Sequence, residues 1–134
     1  MKRITREWVQ KAEADYAAAK QLARHVPPLH DIVCFHCQQL AEKYLKGLLE
    51  ERGAVAPRTH KLEDLLGLLL PSYPELRSLN RGLILLTRHA VDPRYPRRHR
   101  TKRQAQAAER WADKVRTAAR ALRGIRPARN RRRR

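Results

Sequence analysis

Acidic residues are few in this chain, cysteines fewer, and long apolar runs are missing. There are 13 Asp and Glu against 31 Lys and Arg, a formal net charge of +18 over 134 residues. Two cysteines, Cys34 and Cys37, cannot build the disulfide framework of a small secreted domain. The cytoplasm, with both thiols reduced, is therefore the expected compartment. No run approaches the roughly 20 apolar residues that a bilayer span needs, so no membrane association is expected. The opening MKRITREWVQKAEADY is too polar for the apolar core of a secretory signal. Strands are missing too, since no segment alternates apolar and polar residues convincingly.

The excess of positive charge belongs to the body as well as to the end of the chain. The terminal IRPARNRRRR holds six arginines and no acid, yet without it 25 basic residues still face 13 acidic ones. A field of this sign captures polyanions, nucleic acid first and anionic membranes second, and an acidic protein partner would satisfy it equally. Charge alone does not choose among them.

What is present has helical period throughout. The spacing predicts a first helix from Thr5 to His25, with Trp8, Ala12, Ala19, Leu22 and Ala23 inward. The tandem prolines of VPPLH break it. A second helix is expected over Leu29 to Arg52, capped by Gly53. KLEDLLGLLL is a short third helix, and PSYP a turn. Leu76, Leu79, Leu83, Leu86 and Ala90 then mark one face of a fourth helix, which should stop near Asp92 because the residue before Pro93 is driven out of helical conformation. A last helix runs from Thr101 to Leu122. The expected architecture is all-α, a four- to five-helix up-and-down bundle over residues 1–123. Residues 124–134 form a basic tail with nothing to bury, expected to be disordered. Length suits a single core.

The CFHC stretch at Cys34–Cys37 invites a metal reading, which helix geometry argues against. At about 100° per residue both cysteines fall on the apolar stripe with Ala41, Tyr44, Leu45 and Leu48, while His36 points away. Ligands on opposing faces do not converge on one zinc ion. The CxxC spacing lies inside a helix with no strand before it, unlike a redox centre. The cysteines read as small core hydrophobes; no metal and no cofactor are expected. His36, Gln39, Lys43, Lys46 and Glu50 share the opposite sector. A solvated face accounts for such a composition, and a polar groove or helix-pairing surface accounts for it as well.

The segment FHCQQLAEKYLKGLL resembles the signature helix of the HEPN domain family (higher eukaryotes and prokaryotes nucleotide-binding domain), with its Phe-His-x-Gln-Gln-x-x-Glu-Lys-x-Leu-Lys pattern. REWVQKAEADYAAAKQLA resembles the family's first helix, THKLEDLL its short third helix, and RYP the segment before its last. The resemblance spans Arg6 to Leu122. It carries over Phe35, His36, Gln38, Gln39, Glu42, Lys43, Leu45 and Lys46, then His60, then Arg94, Tyr95 and Pro96. It implies an HEPN-like homodimer that binds nucleotide or RNA. It further implies pairing with a minimal nucleotidyltransferase, in modules resembling toxin–antitoxin systems.

Some branches of that family are metal-independent ribonucleases built on an Arg-x(4–6)-His motif. That chemistry needs a group titrating near neutrality and a cation for the developing phosphorane charge. Arg94 and His99 meet the spacing and are the catalytic candidates, although Arg24 and His30 meet it too in a chain this rich in arginine. Tyr95 and Pro96 directly after Arg94 depart from the catalytic pattern. A binding role needs less: Arg88 and His89 lie close in sequence to Arg94 and Tyr95, which offer phosphate a bidentate grip and a base a ring. The nucleotide or phosphate contacts expected are thus His36, Gln39, Lys43, Lys46, Arg88, His89, Arg94 and Tyr95. The function expected is a nucleotide- or RNA-binding module, with an RNA endonuclease toxin and a non-catalytic module for an acidic partner as alternatives.

Overall fold

Apolar residues three and four apart build five α-helices among the residues that the structure, a computed structural model, describes: 1–90, 96 and 99–122. They are α1 (Arg3–Leu22), α2 (His30–Glu51), α3 (Leu62–Leu69), α4 (Asn80–Thr87) and α5 (Lys102–Leu122), with a 3-10 turn at Pro74–Leu79 before α4. No strand occurs among the described residues. None of the helices described is long and apolar enough to cross a membrane. The basic tail at 124–134 lies outside the described residues.

Helix α2 is the axis of the bundle. From Val33 to Leu49 it is buried almost all round, against α1 on one side and α3, α4 and α5 on the others. Its end forms a complete Schellman motif. Gly53 takes φ +88°, its N–H donates to the Glu50 carbonyl, and the Ala54 N–H donates to the Leu49 carbonyl, each at 3.0 Å. Helices α1 and α2 are antiparallel, since Thr5 bonds to Glu51 while Asp15 bonds to His36. Helix α5 runs parallel to α2. The Arg100 N–H donates to Asp31 near the starts of both, and Arg120 reaches the Tyr44 hydroxyl farther along. Helices α3 and α4 form the return, tied by the Leu62 N–H to Thr87 Oγ1 at 2.9 Å.

Two boundaries differ from the sequence expectation. α1 stops at Leu22, not His25, because the Arg24 and His25 N–H groups bond three residues back and tighten the end. Leu76, Leu79, Leu83 and Leu86 are buried as one stripe, but on two backbone pieces. The 3-10 turn supplies the first pair and α4 the second, and α4 ends at Thr87 in another tightened turn through Ala90. Gly82 allows this return to close on α5. A Cβ there would overlap the Trp111 ring, so the indole lies directly on the α4 backbone.

Candidate functional site

The polar side of α2 is an interior surface made of three ion-pair clusters. In the first, Asp15 of α1 is buried between two α2 partners: His36 Nδ1 at 2.8 Å and Lys43 Nζ at 2.6 Å. Burial alone would raise the Asp15 carboxyl, but the hydrogen bonds from His36 and Lys43 outweigh it and hold the group below its ordinary range. In the second, Glu42 is gripped from three sides, by Gln38 Nε2 at 2.9 Å, Lys46 Nζ at 2.9 Å and His60 Nδ1 at 2.9 Å. Burial again raises its carboxyl, and the bonds from His60, Gln38 and Lys46 win, leaving it lowered. Lys46 is itself buried and lies 5.8 Å from the centre of the Trp8 ring. Gln39 donates to the Gln38 side chain at 2.7 Å.

The third cluster binds α5 to the pair. Glu13 of α1 accepts from both Arg116 Nε at 2.8 Å and an Arg116 terminal nitrogen at 2.9 Å, a bidentate grip. The buried Tyr44 hydroxyl donates to the same carboxylate. The Arg116 hydrogen bond is the main reason the Glu13 carboxyl is lowered, against burial, which raises it. Burial, then the bond to Glu13, pushes the Tyr44 phenol up to about 12. Cys34 and Cys37 lie buried behind these clusters, and desolvation pushes the Cys34 thiol up to about 11 and the Cys37 thiol up as well. Both are protonated core groups at neutral pH.

A helix of this pattern, packed in this way, has relatives. A family model of the HEPN domain matches residues 5–122. The chain belongs to the HEPN domain family. It is similar to TT1696 from Thermus thermophilus, whose crystal structure gives a TM-score of 0.72 at 28% identity over 86% of this chain and 94% of that one. It is also similar to ST0689, an archaeal HEPN homologue, with a TM-score of 0.69 at 25% identity over 91% and 98% of the two chains. Among curated proteins none matches the chain.

The HEPN signature residues therefore work together inside the bundle. His36, Lys43 and Lys46, expected to face phosphate, each hold a carboxylate instead, and Gln39 is bonded within the same network. His89 is also interior. It is 4% exposed, its Nδ1 has no partner among the described residues, and burial followed by repulsion from Arg100 and Arg88 lowers its imidazole to about 4. At neutral pH it is an uncharged core residue. Arg88 differs: its side chain is exposed, and its carbonyl accepts from Arg100 at 2.8 Å. Arg94 and Tyr95 lie outside the described residues. His99 is exposed and lines a cleft of about 310 Å³ with Pro28, Leu29, His30, Asp31, Ile32 and Arg100.

Two groups escaped the sequence reading. Asp15 was legible in principle: it sits between Ala12 and Ala19 at helical spacing, so an acid there points into the bundle. Glu13, Arg116 and Arg120 offered no such signal, because each reads as an ordinary charge on a partly exposed helix.

Proposed function

We propose that this HEPN protein binds the phosphates of a nucleotide or of RNA through its outer surface, not through its signature helix. One observation carries the reading. Glu13, Asp15, Asp31, Glu42 and Glu51 are consumed as ties between segments, while exposed arginines and lysines stand on α1, α4 and α5 without an acidic partner among the described residues. The folded body thus spends several of its carboxylates internally and leaves an excess of positive charge on its surface, the arrangement a polyanion selects. His36, Gln39, Lys43 and Lys46 then act as positioning residues that set α1 and the His60 loop on α2. Arg88, with Arg94 and Tyr95 of the neighbouring segment, stays a direct contact in this reading. Homodimer formation and pairing with a minimal nucleotidyltransferase in a toxin–antitoxin-like module are proposed on the family resemblance.

The test is binding of RNA across a salt series, with and without residues 124–134. Phosphate contacts make the logarithm of affinity fall linearly with the logarithm of salt, by about 0.7 per contact on a single strand. A flat response in the full chain overturns the reading, and binding that vanishes with the tail assigns it to the tail alone.

A second reading has its own support. His99 and His30 line one cleft together with Arg100, so two imidazoles and a cation border the same cavity. In RNA cleavage one imidazole would take the proton of a 2′-hydroxyl as it attacks its phosphate. The other would protonate the departing 5′-oxygen, leaving a cyclic phosphate and a free 5′-hydroxyl. Arg94 would serve the phosphorane charge in the pair expected from sequence. Cleavage that persists in EDTA and is lost in both His99→Ala and His30→Ala supports this reading; no cleavage removes it.

A further inference from the structure

The outer faces of α4 and α5 present five cations engaged by no carboxylate among the described residues. Arg81 is exposed on α4 and Arg88 just past its end, and Arg103, Arg110 and Lys114 on α5. Arg81 and Arg88 are seven residues apart, as are Arg103 and Arg110. At about 1.5 Å of rise per residue, each pair is spaced by about 10 Å. Between the rows runs the seam in which the Trp111 ring lies on the backbone of Gly82. Lys114 Nζ sits 4.8 Å from the centre of that ring, held by its face and not by an acid. The acids of this stretch, Glu109 and Asp113, are tied to Lys20 of α1, at 3.7 and 3.2 Å. The seam opens into a cleft of about 420 Å³ lined by Ser78, Leu79, Asp113, Lys114, Thr117 and Ala118.

We propose that a single strand of RNA lies along this seam, its phosphates between the two cationic rows and a ribose in the cleft. The proposal rests on the phosphate-binding reading above and names where the strand runs. Packed helices stand about 8–10 Å apart, which leaves room for one sugar–phosphate strand between their outer side chains and not for a duplex. Four of the five cations are arginines, whose planar fork grips phosphate through two hydrogen bonds. The exposed Ile84 between Arg81 and Arg88 and the edge of Trp111 supply apolar surface for bases. In the cleft the Ser78 and Thr117 hydroxyls offer partners to a 2′-hydroxyl, the group that distinguishes RNA from DNA.

The experiment uses the full chain, a short fluorescent single-stranded RNA, and DNA of the same sequence, each titrated across a salt series. Arg81→Gln/Arg88→Gln/Arg110→Gln is compared with Arg24→Gln/Arg58→Gln/Lys61→Gln, which removes equal charge from other exposed positions. If each arginine meets one phosphate, the first triple flattens the log–log slope by about 2 and weakens binding about a hundredfold at 0.1 M salt. The second triple leaves the slope nearly unchanged, and Thr117→Val weakens RNA binding more than DNA binding. Thermal melts check that both triples fold; Lys114→Gln alone, read by its slope, stands in for a triple that does not. Equal effects of the two triples overturn the seam while leaving phosphate binding intact, and RNA and DNA bound equally overturn the choice of RNA. Wild-type protein that binds no RNA overturns the phosphate-binding reading itself.

Discussion

Replacing Asp15 with asparagine keeps the shape of the side chain and removes the charge that joins α1 to α2. Two charge-assisted bonds are lost or weakened, to Lys43 at 2.6 Å and to His36 at 2.8 Å. A hydrogen bond to a charged group contributes about 1.5–3 kcal/mol, and removing one member of a fully buried pair costs about 3–5 kcal/mol. The side chains of Lys43 and His36 remain 23% and 26% exposed, so water recovers part of their solvation. The expected loss is therefore about 2 kcal/mol, below the fully buried limit. The pH dependence gives a second readout. The folded Asp15 carboxyl is lowered relative to the unfolded chain, so its stabilising contribution is present above the unfolded value of 3.8. That contribution fades as pH falls through the lower folded value. Asp15→Asn should flatten the acid limb of stability below about pH 4, though not abolish it, since Glu13 and Glu42 are lowered too. Urea denaturation at pH 7 and at several values below 4 measures both effects. A change under about 0.5 kcal/mol at pH 7, within the range of ordinary surface substitutions, would refute the ion-pair argument.

Gly82→Ala drives a methyl group into the Trp111 ring, so overpacking should cost about 1–3 kcal/mol by thermal denaturation. Gly82→Ala combined with Trp111→Leu should recover part of that loss, and additive losses in the double variant would contradict the close approach. His89 folds as a neutral base held down to about 4 by burial. The unfolded chain therefore binds a proton first, and stability should fall as pH drops from about 6.5 toward 4, by on the order of 3 kcal/mol. His89→Leu should remove that slope, and a His89 resonance, assigned by its absence from the His89→Leu spectrum, that titrates near pH 6.5 in the folded protein would contradict the assignment.

The helices were legible because their apolar spacing is a local property. Ala105, Ala108, Ala112, Val115 and Ala119 of α5 are buried in the register their period implies. The broken fourth helix was not legible in the same way. Leu76, Leu79, Leu83 and Leu86 keep one side apolar whether the backbone is α or 3-10, so side-chain pattern does not distinguish the two. Gly82 and Trp111 are similarly silent: the tryptophan's landing place depends on the packing of α4 on α5, which no single helix specifies.

The polar side of α2 was the hardest part to read, and for a physical reason. Amphipathic analysis assumes that polar residues face water, and α2 has almost no side that does. A helix at the centre of a five-helix bundle must bury charge or be apolar all round. This one buries charge, and its charges meet partners: Asp15 from α1 for His36 and Lys43, and for Glu42 both Lys46 one turn along α2 and His60 from the loop before α3. An apolar helix of the same volume would pack at least as strongly, because desolvation offsets much of what a buried ion pair contributes. What the ion pairs add is discrimination, since a slip of α1 along α2 would leave Asp15 and Lys43 buried and unpaired, whereas sliding leucines would merely repack. The cost of that arrangement falls on the polar residues of the signature helix, whose hydrogen bonds are spent on internal carboxylates. In the proposed reading, phosphate recognition is left to the arginines outside.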